Sequence, residues 1–112
     1  MAYDEELADR VRNVLEARSD VSERKMFGGI AFMLAGNLAA GVLGEDLIVR
    51  VGPDDHAAAL AEPGVREFDF SGRPSKGIVF VEPDQVRDDG GLARWVDAGA
   101  DFAASLPPKP KK

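Results

Sequence analysis

The 112-residue chain contains no cysteine, which excludes a disulfide framework, a thiolate nucleophile and any cysteine-ligated metal. It has a single histidine, His56. That residue has no HxH or HxxxH partner to complete a metal site. Asp54 and Asp55 stand too close along the chain to orient it as a general base. It reads as a partly exposed residue of a short alanine-rich helix. No apolar run approaches the roughly 18 residues of a membrane span. The opening Met1-Ala2-Tyr3-Asp4-Glu5-Glu6 is acidic where a secretory signal would be basic and then apolar, so a cytoplasmic protein is expected. Motifs that bind phosphate or calcium are missing as well: there is no GxxxxGK[ST], no helix-opening GxGxxG and no DxDxDG spacing. No nucleophile–base pair is visible, so the chain reads as a non-enzyme with no catalytic residue, metal ligand or cofactor.

Cations are scarce relative to acids. The net charge is −6, and without Lys109, Lys111 and Lys112 the remainder holds 11 basic against 20 acidic residues, a net −9. Affinity for nucleic acid comes largely from neutralising phosphates with Lys and Arg. Direct binding to DNA or RNA is therefore not expected.

What is present is the material of one small domain. Residues 4–18 carry Leu7, Val11, Val14 and Leu15 on one helical stripe, with Asp4, Glu5 and Glu6 at the end where the helix dipole favours negative charge. Lys25–Leu34 reads as one strand, apolar on both faces, with Gly28-Gly29 marking a bulge, a kink or a close backbone approach. Short turns then separate strands over Leu38–Leu43 and Leu47–Val51, which forces antiparallel neighbours. Gly52-Pro53-Asp54-Asp55 opens a short helix that Pro63-Gly64 stops. Strands near Val65–Phe70 and Ile78–Val81 flank the segment Ser71-Gly72-Arg73-Pro74-Ser75-Lys76-Gly77. A helical turn at Pro83-Asp84, interrupted by Gly90-Gly91, leads to a last helix over Leu92–Leu106. Asp54-Asp55 and Asp88-Asp89 read as helix caps. Residues 1–106 form the expected domain, and 107–112, rich in proline and lysine, read as a disordered tail.

The predicted architecture is α+β: a five-stranded antiparallel sheet with helices on one side, in the order α-β-β-β-α-β-β-α. In the first strand Met26, Ile30, Phe32 and Leu34 share one face, and Phe27, Ala31 and Met33 the other. A one-sided helix layer covers only one of them. The second is left for a wrapping helix segment or for a second subunit, making a homodimer. The candidate binding residues are Arg73 and Lys76 in the loop between the last two strands, with Arg50. Two cations and two hydroxyls in one turn suit an anion or an acidic partner. Arg24 and Lys25 join them if the sheet brings them near.

These pieces together resemble the N-terminal domain of the TfoX/Sxy family, bacterial proteins associated with natural competence. The resemblance rests on Met26-Phe27-Gly28-Gly29 after a basic pair, on Gly36-Asn37, and on Asp46-Leu47-Ile48-Val49-Arg50-Val51. Phe70-Ser71-Gly72-Arg73-Pro74-Ser75-Lys76-Gly77 and the Leu92–Val96 helix complete it. It implies a fold like that of secretion chaperones, with Met26, Phe27, Gly28, Gly29, Gly72, Pro74 and Gly77 as the structural motif. It also implies a role in protein interaction, with a transcription factor as partner. The alternative reading is a domain binding a small anion or nucleotide through the Arg73/Lys76 loop.

Overall fold

The computed structural model describes residues 3–26, 28–68 and 76–107, with Met26 described by its backbone alone. Helix α1 spans Glu5–Leu15. It starts where Asp4 accepts hydrogen bonds from the Glu6 and Leu7 N–H groups, satisfying two of the donors that every helix leaves open at its start. Its Leu7, Val11 and Leu15 are buried, as the stripe predicts.

The strands are β1 (Val21–Met26), β2 (Gly29–Leu34), β3 (Asn37–Leu43), β4 (Asp46–Arg50), β5 (Val65–Glu67) and β6 (Ile78–Val81). They form one antiparallel sheet in the order β1-β2-β3-β4-β6-β5. This corrects the expected five strands to six. The single strand expected over Lys25–Leu34 is a hairpin in which Met26 pairs with Gly29. Gly28 has φ +79°, a left-handed conformation that side chains disfavour, and that residue turns a continuous apolar run into two strands. The preceding residues, Val21-Ser22-Glu23-Arg24, carry too much charge to resemble a strand, yet they form most of β1. Gly29 marks the close approach the sequence suggests. A β-carbon there would stand 2.1 Å from the Val42 carbonyl oxygen on β3. Of the motif residues, Phe27, Gly72 and Pro74 lie outside the described residues.

Helix α2 is short, His56–Leu60, and α3 runs from Asp89 to Ala104 after a 3₁₀ turn at Pro83–Val86. Gly90 and Gly91 do not interrupt the helix but form its first turn. The Asp88 carboxylate accepts from the Gly91 N–H at 3.0 Å, and a cap at that point offsets glycine's poor helix propensity. Leu92, Trp95, Val96 and Gly99 are buried along one side of α3.

All three helices pack on one face of the sheet, as predicted. Leu7, Val11, Ala59, Leu92, Trp95 and Val96 form one apolar cluster with Ile30, Phe32, Val42, Leu47, Val49, Val79 and Val81. Arg18 clasps α1 to α3 by reaching Asp97 and Asp101. The C-terminal end of α3 is tied back as well: the buried Asn37 side chain donates to the Pro107 carbonyl at 3.0 Å. Beyond Pro107 the expected tail lies outside the described residues.

Candidate interaction face and the α2–α3 cleft

The strand register places Arg24, Ala31, Gly41, Ile48, Phe80 and Arg66 opposite one another in a single row across all six strands. Residues directly opposite in an antiparallel sheet share a face, and this row lies on the face away from the helices. Among the described residues no helix side chain joins it. Ala31, Ile48 and Phe80 are buried, while Met33, Leu38, Leu43, Phe68 and Ile78 around them are half-buried. At the β5 end the row closes in a stack that sequence reasoning did not name. The Phe68 and Phe80 ring centroids are 5.0 Å apart, and the Arg66 guanidinium sits 4.9 Å from the Phe80 centroid. Arg66 is held there by Asp46 at 2.7 Å and Glu82 at 3.2 Å. The available signal was the alternation of Arg66 and Phe68, which puts both on one side of a strand.

The predicted binding residues are only partly brought together. Arg73 lies outside the described residues. The Gly77 carbonyl accepts from the Val51 and Gly52 N–H groups, so the backbone beside Lys76 adjoins the backbone beside Arg50. The Arg50 guanidinium, however, stands over the Phe102 ring of α3, 5.4 Å from its centroid. Arg24 and Lys25 are on β1, three strands from β4, or about 14 Å at normal strand spacing. They do not join Arg50 and Lys76 in one patch.

His56 is partly exposed on the alanine-rich α2, as expected, with 13 % of its side chain accessible. Its buried Nε2 lies 3.2 Å from the Glu67 Oε1, but the approach is not aligned as a hydrogen bond and the nitrogen has no such partner. No group of three or more His, Asp or Glu side chains that could hold a metal occurs among the described residues.

On the helix side, α2 and α3 diverge over a cleft of about 450 Å³ lined by Val51, Ala58, Ala59, Trp95, Ala98 and Phe102. Charged groups ring its mouth. Arg94 makes two hydrogen bonds to Glu62, at 2.8 and 3.3 Å, and lies 4.6 Å from the Trp95 ring centroid. Asp101 accepts from Arg18 at 2.8 Å. The hydrogen bond that Arg94 donates to Glu62 raises the Arg94 pKa, and those that Arg18 donates to Asp101 and Asp97 raise that of Arg18.

An α+β domain with one antiparallel sheet and its helices on one face is the class these features define. A model of the TfoX N-terminal domain matches residues 13–103, and the chain belongs to that family. No curated protein and no solved structure matches the chain. Among the described residues no helix is long and apolar enough to cross a membrane.

Proposed function

We propose that this chain is a non-enzymatic, TfoX-like interaction module that binds a protein partner, a transcription factor, on the sheet face opposite the helices. The observation that carries this reading is the apolar sheet face opposite the helices, to which no helix of the described residues contributes. Met33, Leu38, Leu43, Phe68 and Ile78 remain part-exposed around a buried apolar row, and exposed apolar patches on a small domain commonly mark interaction sites. The family membership supports a competence-related setting in a bacterial cytoplasm, and the acidic composition supports a protein partner over nucleic acid.

Affinity capture with the full chain, followed by titration of the purified partner, tests it. Leu43→Glu and Ile78→Glu should each weaken the complex at least tenfold without unfolding the domain. A complex that tolerates both substitutions is held by some other surface. Sedimentation of the isolated protein separates a hetero-partner from a second copy: a dimer broken by the same two substitutions would make self-association the use of this face.

A second reading, a small-anion or nucleotide site, is favoured by the adjoining backbones at Arg50 and Lys76. Among the described residues neither side chain pairs with a carboxylate. A thermal shift with phosphate-containing metabolites tests it, since a ligand at 100 times its dissociation constant adds about 2.7 kcal/mol.

A further inference from the structure

The cleft between α2 and α3 lies on the opposite side of the molecule from the proposed docking face and does not depend on it. Its volume falls within the range of small-molecule sites, about 300–1,000 Å³. It exists because Ala58, Ala59 and Ala98 are too short to fill the space between the two helices. Its end wall is fixed. The Phe102 ring is pressed against the backbone of Gly52, where a β-carbon would come within 2.5 Å of it. The indole of Trp95 is 96 % buried below.

The charges around this apolar floor are not equivalent. Glu62 is engaged by Arg94, and Asp101 by Arg18. Arg94 is in turn committed to Glu62 and to the face of Trp95. Asp55 alone among the lining charges has no ion pair among the described residues. It occupies the N-cap position of α2, where an aspartate ordinarily accepts from backbone N–H groups, yet its side chain makes no capping hydrogen bond. The cleft therefore combines an apolar, aromatic-walled interior with one uncompensated carboxylate at its mouth.

We propose that this cleft binds a small organic amine with an aromatic body. The protonated amine would pair with Asp55, and the ring would lie against Trp95, Phe102 and the alanines. A carboxylate or phosphate ligand is disfavoured, because Asp55 presents negative oxygens to it and Arg94, the cation in the lining, is committed to Glu62. The Phe102 ring is already covered by Arg50, which leaves the Asp55 carboxylate as the place for the ligand's charge.

Trp95 is the only tryptophan, so its emission reports on this cleft alone. Titration of the full chain with phenethylamine should give a saturable change in that emission. The neutral 2-phenylethanol should bind at least tenfold more weakly, and 3-phenylpropionate should give no change. Asp55→Asn, at an exposed position, should weaken the amine at least tenfold with an unaltered melting temperature. Ala98→Leu should abolish binding by filling the cleft, and circular dichroism establishes that this variant is folded. The absence of a saturable response to phenethylamine, equal binding of all three compounds, or undiminished binding to Asp55→Asn would each overturn the assignment. Leu43→Glu and Ile78→Glu should leave amine binding intact, so a failure of the docking face and a failure of the cleft are told apart.

Discussion

Gly99 of α3 lies directly on the Ala39 carbonyl of β3: a β-carbon at position 99 would stand 2.2 Å from that oxygen. At this point the helix is seated on sheet backbone, which cannot move aside as a side chain can. Gly99→Ala should therefore cost about 3 kcal/mol, at the upper end of overpacking, because the whole helix must lift. Gly44 makes a useful contrast. It has open space around it but a φ of +60°, so Gly44→Ala should cost only about 1 kcal/mol of backbone strain. Urea unfolding of both variants measures the difference, and equal losses would show that α3 adjusts freely over β3.

Asn37 is a buried polar side chain that reaches across 70 residues of sequence to the Pro107 carbonyl. Asn37→Ala should lower stability by about 1–2 kcal/mol through the lost hydrogen bond and packing. It should also make the end of α3 easier to cleave by carboxypeptidase. Unchanged proteolysis would mean that other contacts retain that end.

His56 carries a buried nitrogen without a hydrogen bond, so its removal strands nothing. Glu67, 45 % exposed, regains water when the imidazole goes. His56→Leu is expected to change stability by less than about 1 kcal/mol, in either direction. A loss of several kcal/mol on chemical denaturation would show that the His56–Glu67 contact is a true stabilising pair.

Arg12 hydrogen-bonds Glu23 on β1, also pairs with Asp9, and covers the Phe32 ring at 5.8 Å. The Glu23 hydrogen bond is the main cause of its raised pKa, so it stays charged at any working pH. Its side chain is 38 % exposed, and solvent limits what such a pair is worth. A double-mutant cycle on Arg12→Ala and Glu23→Ala should give a coupling of about 1 kcal/mol or less, shrinking as salt is added.

The helices were the readable part of the fold. The stripe of α1, the proline before α2 and the Leu92–Val96 pattern each follow from apolar spacing and cap residues, which act locally. The β1–β2 hairpin was not readable, because the apolar run continues through the turn and β1 itself is charged. Glu23 is exposed on that edge strand, and Arg12 reaches it from α1, a contact made by tertiary structure. The same limit applies to the candidate sites. Arg50 alternates with Val49 and Val51, which assigns it to the face opposite the helices, yet its long side chain finds Phe102. The cleft was invisible, since alanines in two separate helices give no sign that they will face each other. That the chain belongs with TfoX N-terminal domains was legible because two of the motif residues, Gly28 and Gly77, hold positive φ angles that favour glycine.

The clasp between α1 and α3 joins the domain's first helix to its third. During synthesis the sheet can zip up strand by strand, but Val42, Leu47 and Val49 keep one side towards water until Leu92, Trp95 and Val96 leave the ribosome. The nascent chain thus carries a wet, sticky surface for most of its production, and chaperones would find it there rather than on the finished protein.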